Sequence, residues 1–191
     1  MPILFDIEHY REKFNCDNWF ETGLWDSTNP TTSLNIAVKC NFKKLFSIEI
    51  RKDFVDLGNH IFSNDINKKR VKLINDDSTN LYKYIEFDNI FLDKTMFFLD
   101  AHVDNINIHN YKLRCPLFEE LEAINKLTRK DNIILIDDLR ILKQPNPWDE
   151  YKYGNINYLE RIKEKVLDIN SNYKFDTLKG IEENDILICY I

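Results

Sequence analysis

The chain has 191 residues, a length that fits one domain with a sizeable hydrophobic core. Its 43% hydrophobic and 30% charged residues are ordinary for a globular protein. The net charge of −6 argues against nucleic acid and anionic membranes as partners, because proteins that bind them normally carry a basic face. Three adjacent cations, Lys68, Lys69 and Arg70, precede an apolar run, which is typical of the solvated start of a strand.

The termini and the cysteines indicate a compartment. The first residues contain no basic leader followed by an apolar stretch, so we expect no signal peptide. No apolar run approaches the roughly 18 residues that a membrane helix needs. The four cysteines lie far apart, without the spacing of zinc ligands. We therefore expect a cytoplasmic protein whose cysteines are reduced and mostly buried, namely Cys16, Cys40, Cys115 and Cys189.

Strands and helices alternate along most of the predicted structure. In chain order the predicted elements are helix 6–15, strand 18–22, helix 31–40, strand 44–50, helix 53–62, strand 70–75, helix 79–86, strand 95–100, helix 116–129, strand 132–136, helix 156–170, and strands 173–178 and 185–191. No helix separates the last two strands, so they are connected most economically as an antiparallel hairpin. We predict a single α/β domain over 1–191, with a doubly wound, mostly parallel sheet and a C-terminal antiparallel hairpin.

Acidic residues follow every predicted strand of the parallel part of the sheet. Ligands of such sheets bind outside the carboxyl ends of the strands, so these side chains are expected at one edge. A single acid after a strand is usually a helix cap. A row of them concentrates negative charge, which is costly unless a cation or a hydroxyl-rich ligand compensates it. The row consists of Glu21, Glu49, Asp76, Asp77, Asp100, Asp137 and Asp138.

Five short sequence motifs at these strand ends resemble those of a known protein family. They are WFETG (19–23), FSIE (46–49), DDS (76–78), FFLDAH (97–102) and ILIDD (134–138). In order and spacing they resemble class I S-adenosylmethionine (SAM)-dependent methyltransferases, and the terminal hairpin matches that Rossmann-like fold. Within this class the chain is most similar to small, metal-dependent O-methyltransferases that act on sugar or natural-product hydroxyls.

The resemblance implies a set of SAM-binding residues. In the first loop Gly23 would let the backbone approach the methionine part of the cofactor, and Glu49 would accept hydrogen bonds from the two ribose hydroxyls. Ser33, at a helix N-terminus, would hold the cofactor carboxylate. The complete implied set is Glu21, Thr22, Gly23, Ser33, Glu49, Asp77 and Ser78.

The first loop departs from the family pattern. It has one glycine rather than a glycine-rich run, it is lengthened through 26–30, and Asp76 stands where relatives often have glycine. A pyrophosphate needs a tight glycine turn, so the missing glycines argue against a dinucleotide. SAM has no phosphate and tolerates a looser loop.

The implied chemistry is methyl transfer to a hydroxyl. In the metal-dependent relatives, the residues that correspond to Asp100, Asp137 and Asp138 bind a divalent cation. A set of oxygen ligands suits Mg²⁺, so the resemblance implies a magnesium site here. The position two residues beyond the fourth-strand Asp serves as base, and here it is His102, with Asp104 as a weaker substitute. Two alternatives stay open: Asp137 and Asp138 as helix caps, and His102 as a buried residue that bonds to backbone.

The sequence does not identify the methyl acceptor. A short chain suits a small-molecule or carbohydrate acceptor with an exposed hydroxyl, and a homo-oligomer is compatible with the sequence. Aromatic residues at Trp148, Tyr151 and Tyr153 either line a sugar-binding lid or pack the loop down.

Two rival functions accompany this hypothesis. The string from Asp100 to Asp104 also resembles the DAHxD motif of manganese-dependent ureohydrolases. That family has a Gly-Gly-Asp-His segment upstream and an Asp-x-Asp downstream, and neither is present here. The second rival is a non-catalytic, methyltransferase-like binding subunit, which the glycine-poor first loop favours.

Overall fold

The computed structural model describes residues 3–85, 89–102, 114–143, 154 and 156–191. The strands are β1 (Asn18–Thr22), β2 (Lys44–Glu49), β3 (Val71–Asn75), β4 (Thr95–Leu99), β5 (Ile133–Ile136), β6 (Lys174–Leu178) and β7 (Ile186–Tyr190). The helices are α1 (Ile7–Phe14), α2 (Ser33–Ala37), α3 (Lys52–Ile61), α4 (Ser63–Asn67), α5 (Leu81–Ile85), α6 (Leu117–Asn125), α7 (Leu139–Leu142) and α8 (Tyr158–Ile169), with 3-10 turns at Ser78–Asn80 and Asn89–Leu92.

The described strands form one seven-stranded sheet in the order β3-β2-β1-β4-β5-β7-β6. The pairs from β3 to β5 are parallel, and β7 is antiparallel to both β5 and β6. The predicted doubly wound sheet and its closing hairpin are therefore confirmed. The strand order reverses between β1 and β4, and the crevice outside their carboxyl ends is where ligands of such sheets bind.

Side chains of the central strands fill a core on each face of the sheet. Successive residues of a strand point to opposite faces, so Phe20 and Phe97 pack on one side while Trp19 and Phe98 stack on the other. All four rings are fully buried. This double coverage explains why β4 is a continuous apolar run rather than an alternating one.

The ends of two helices are fixed by local hydrogen bonds. Asp6 caps α1 by accepting a hydrogen bond from the backbone N–H of His9, and Asn15 ends this helix in a left-handed conformation. Asn157 caps α8 by accepting from the N–H of Glu160. Among the described residues no helix is both long and apolar enough to cross a membrane.

The structure corrects several predicted boundaries. Helix α2 ends at Ala37 rather than at Cys40, and α6 ends at Asn125, well before Arg129. The ammonium of Lys130 donates to the carbonyl of Asn125, which satisfies one of the carbonyls exposed where the helix ends. Helices α4 and α7 were not predicted, because segments of five and four residues are too short to show periodicity. The four cysteines are free and buried, as expected.

Candidate functional site

Gly23 brings the first loop against the end of β4. Its φ of +88° lies in the left-handed region, and a Cβ there would lie 2.5 Å from the carbonyl oxygen of Asp100. The backbone N–H of Asp100 in turn donates to the carbonyl and the hydroxyl of Thr22. A single glycine thus suffices at the point where two backbones touch, and the first loop and the β4 end form one unit.

Glu21 lies inside the protein rather than at its surface. Its carboxylate accepts hydrogen bonds from Trp19 Nε1 at 3.0 Å and from Ser47 Oγ at 2.8 Å. Burial raises the pKa of Glu21 to about 7, although hydrogen bonds from Ser33, Trp19 and Ser47 lower it. Ser33 at the start of α2 lies close enough to Glu21 to lower its pKa, so these two predicted cofactor residues are brought together.

Glu49, the predicted ribose-binding acid, has a fixed orientation at the end of β2. The backbone N–H of Trp25 donates to its Oε2 at 3.2 Å, and the N–H of Arg51 donates to its Oε1 at 2.8 Å. Trp25 adopts a φ of +53°, a conformation that is uncommon for a large side chain. The first loop therefore folds back onto the carboxylate of Glu49.

The two acids after β3, Asp76 and Asp77, accept hydrogen bonds from residues of the segment that follows them. Asp77 Oδ1 accepts from the N–H of Thr79 and caps the 3-10 turn. Asp76 accepts from Asn80 Nδ2 and from the hydroxyl of Tyr84, both at 2.7 Å. Ser78 is buried at the start of this turn. The predicted adenine side of the site is therefore a turn held by its own hydrogen bonds.

The buried carboxyl of Glu120 on α6 lies beside this turn, and the sequence analysis missed it. Complete burial raises the pKa of this carboxyl to about 7, although the nearby hydroxyls of Ser78 and Thr22 lower it. Glu120 thus lies beside two predicted cofactor residues, Thr22 at the end of β1 and Ser78 in the turn after β3. It could have been noticed only as an acid on the apolar face of a helix.

An acid cluster occupies the ends of β4 and β5. Ligand atoms of Asp100, His102 and Asp138 lie within 4.8 Å of one another, as do those of Asp137, Asp138 and Asp185. The described residues therefore place the predicted metal ligands in two overlapping groups that share Asp138. His102, predicted as the base, lies inside the first group and contacts Asp138, with 2.7 Å between Nε2 and Oδ2.

Negative charge dominates the electrostatics of this cluster. Burial and the neighbouring Asp137 raise the pKa of Asp100 well above its usual range, and burial with Asp138 raises that of Asp137 to about 6. Burial alone would lower the pKa of His102, but the hydrogen bond to Asp138 and the nearby carboxylates raise it. For Asp138, contacts with His102 and Arg140 outweigh burial and lower the pKa.

Arg140 and Asp185 complete the cluster, and the sequence analysis missed both. The Arg140 guanidinium pairs with the carboxylates of Asp138 and Asp185, and its backbone N–H donates to Asp185 Oδ1 at 2.9 Å. Asp185 directly precedes β7, 45 residues along the chain from Arg140. No local pattern predicts a pair separated so far.

Several predicted residues lie outside the described part of the chain. These are Asp104 and the aromatic residues Trp148, Tyr151 and Tyr153.

Comparisons with known proteins agree with this architecture. The sequence matches no protein-family model and no curated protein. Among solved structures it is similar to the O-methyltransferase TomG from Streptomyces achromogenes, involved in tomaymycin synthesis and solved with SAM, with a TM-score of 0.64 at 13% identity over 96% of this chain and 77% of that one. An O-methyltransferase from Bacillus cereus in complex with SAH gives 0.58 at 11% identity, over 96% and 78%. A putative rRNA methylase from Clostridium thermocellum gives 0.50 at 16% identity, over 97% and 98%. At these identities the likeness establishes the fold, and the chain has the Rossmann-like fold of the class I SAM-dependent O-methyltransferases.

Proposed function

We propose that the protein is a SAM-dependent O-methyltransferase that methylates a hydroxyl of a small polar acceptor, a sugar or glycan. The contact between Gly23 and Asp100 carries this proposal. It joins the first loop, which would hold the cofactor, directly to the strand end that bears the acid cluster. A cofactor bound at that loop would lie beside groups that can deprotonate a hydroxyl.

The residues at the β1 and β2 ends fit SAM. Glu49 has one backbone donor on each carboxylate oxygen, and each oxygen keeps a second lone pair for a ribose hydroxyl. Ser33 remains the proposed partner of the cofactor carboxylate, and Asp77 and Ser78 the neighbours of adenine. We assign Glu21 a positioning role, because its oxygens accept hydrogen bonds from Trp19 and Ser47 inside the protein, beside Ser33.

SAM would supply an electrophilic methyl group on a sulfonium. The chain's own groups must align the acceptor oxygen and remove its proton, because an unactivated sugar hydroxyl is a poor nucleophile. We assign proton removal to the imidazole of His102. Asp138 orients this imidazole and stabilises the imidazolium that forms, as a carboxylate does in other histidine–acid pairs.

The acid cluster also offers oxygen ligands for a divalent cation, with Asp138 shared by a group that contains Asp100 and a group that contains Asp137. Four carboxyls, of Asp100, Asp137, Asp138 and Asp185, face two basic side chains, of His102 and Arg140. Burial, and after it the neighbouring carboxylates, raises the pKa values of Asp100 and Asp137. We propose that Asp100, Asp137 and Asp138 hold Mg²⁺, which would acidify the acceptor hydroxyl.

Binding of S-adenosylhomocysteine (SAH), measured by calorimetry, tests the proposal without knowledge of the acceptor. We expect saturable binding by the wild-type protein and a loss of about tenfold or more in Glu49→Ala, because two hydrogen bonds to a charged group disappear. Asp53→Ala is the matched control, since Asp53 is an exposed acid on the neighbouring helix. Absence of binding at millimolar SAH would favour the non-catalytic alternative.

The metal proposal has its own test. Mn²⁺ binding followed by electron paramagnetic resonance is expected in the wild-type protein and lost in Asp137→Asn. Asp131→Asn, a partly exposed acid paired with Arg129, serves as control. Equal Mn²⁺ affinity in all three proteins would refute the proposed metal site.

The assignment of His102 as the base is refuted if His102→Ala methylates the acceptor at the wild-type rate. The hydrolase alternative needs Asp104, which lies outside the described residues.

A further inference from the structure

A basic cavity lies at the opposite edge of the sheet from the proposed active site. It has a volume of about 550 Å³ and opens at the amino-terminal ends of β1, β2 and β3. Its apolar part is formed by Phe46, Ile66 and Val71. A cavity of this size holds a small organic molecule.

The cavity has a charge opposite to that of the whole protein. Five cations line it, against one acid, Asp93, whereas the chain carries a net charge of −6. Arg70 is fixed by hydrogen bonds to the carbonyls of Phe42, Val38 and Cys40 and by an ion pair with Asp65. The cationic rim consists of Lys43, Lys44, Lys69, Arg70 and Lys72.

Lys69 lies at this rim in the left-handed conformation that ends helix α4. Its φ of +56° is left-handed, which costs a residue with a Cβ about 1 kcal/mol. Lys44 Nζ donates to the carbonyl of Lys69 at 2.5 Å and fixes the turn. The side chain of Lys69 is exposed, and the described residues provide no carboxylate that pairs with it. This conformation ends helix α4, because the backbone N–H of Lys69 donates to the carbonyl of Ile66 and that of Arg70 donates to the carbonyl of Asp65.

We infer that this cavity is a second binding site, for an organic phosphate ester whose phosphoryl group meets Lys44 and Lys69 and whose apolar part contacts Phe46 and Val71. Flexible ammonium groups recognise a phosphate as point charges, without a fixed fork. The apolar floor favours a ligand with a carbon body over inorganic phosphate.

The site is separate from the proposed methyl-transfer site. Strands of five or six residues place their two ends roughly 16 Å apart at about 3.3 Å per residue, so a ligand in the cavity is not the group being methylated. The proposal therefore stands or falls without SAM binding.

The test is a titration with phenyl phosphate, followed by the amide NMR signals of Lys44, Lys69 and Val71. We expect saturable shifts, and weaker binding of inorganic phosphate. Lys69→Gly should weaken phenyl phosphate binding about tenfold, because it removes a charged donor while glycine adopts the left-handed turn without strain. Lys68→Ala is the matched control, an adjacent exposed lysine that does not line the cavity.

A parallel arm identifies the source of the phosphate. Sedimentation with phosphatidylglycerol vesicles that is lost in Lys69→Gly would assign the site to a lipid headgroup, whereas phenyl phosphate binding without sedimentation assigns it to a free organic phosphate. The inference is overturned if phenyl phosphate gives no saturable shifts, or if Lys68→Ala weakens binding as much as Lys69→Gly. SAH affinity should stay at the wild-type value in both variants.

Discussion

Replacing Glu120 with glutamine should make the protein less sensitive to alkaline pH. Glu120 is fully buried on α6, between the hydroxyls of Thr22 and Ser78. Burial is the largest influence on the pKa of Glu120, which rises from 4.5 to about 7. The nearby His102 lowers this pKa, and Glu119 raises it. The uncharged amide of glutamine has nearly the same shape and cannot ionise.

The magnitude follows from the difference between the folded and unfolded pKa. A shift of this size corresponds to about 3 kcal/mol, at about 1.4 kcal/mol for each pKa unit. Because the folded pKa is raised, the stability contribution is complete below the unfolded pKa of 4.5 and is lost as pH rises through about 7. Between about pH 5 and pH 8, Glu120 should thus remove about 2–3 kcal/mol of unfolding free energy.

The assay is urea unfolding at pH 5 and at pH 8. On going from pH 5 to pH 8, we expect the unfolding free energy of Glu120→Gln to rise by about 2–3 kcal/mol relative to that of the wild-type protein. Glu122→Gln is the control, because it makes the same change at an exposed position of the same helix, where Glu122 pairs with Lys165. Equal pH dependence in Glu120→Gln and the wild-type protein would refute the assignment of a raised pKa to Glu120.

Three further substitutions test the contacts that shape the site. Gly23→Ala should lower stability by about 2–4 kcal/mol, because its Cβ meets the Asp100 carbonyl at 2.5 Å and φ is +88°; a loss under about 0.5 kcal/mol in urea unfolding contradicts this. Arg140→Met should cost about 3 kcal/mol, because the carboxylate of Asp185 loses its cation while buried; unchanged thermal and urea midpoints would show that the pair is unimportant. Trp25→Gly should be about 1 kcal/mol more stable than Trp25→Ala, because glycine adopts the φ of +53° without strain, and equal stabilities would exclude strain at this residue.

The sequence was sufficient for most of the fold because central strands such as β4 and β5 are buried apolar runs. The continuous apolar run of β4 indicated a parallel sheet covered on both faces. The absence of a helix between β6 and β7 indicated the C-terminal hairpin. The position of β7 between β5 and β6 could not be predicted, because pairing such as that of Leu135 with Ile188 joins distant parts of the chain. Helices α4 and α7 were missed because tertiary contacts, rather than periodicity, hold segments so short.

The sequence predicted that the residues of the candidate site lie together, and it predicted their contacts only in part. The strand-end rule brought Asp100, His102 and Asp138 together correctly in space, because parallel strands end at one edge. The rule does not specify which atoms bond, so the internal bonding of Glu21 was not foreseen. Arg140 and Asp185 were missed for a different reason, since their pairing depends on the antiparallel return of β7.

The most direct test of the central claim is a crystal structure of the protein soaked with SAH and Mg²⁺. The account predicts nucleoside density at Glu49, with the sulfur directed towards Asp100, and a metal peak among Asp100, Asp137 and Asp138. Ordered SAH elsewhere on the protein, or an empty strand edge at saturating SAH, would contradict the assignment of this edge to methyl transfer.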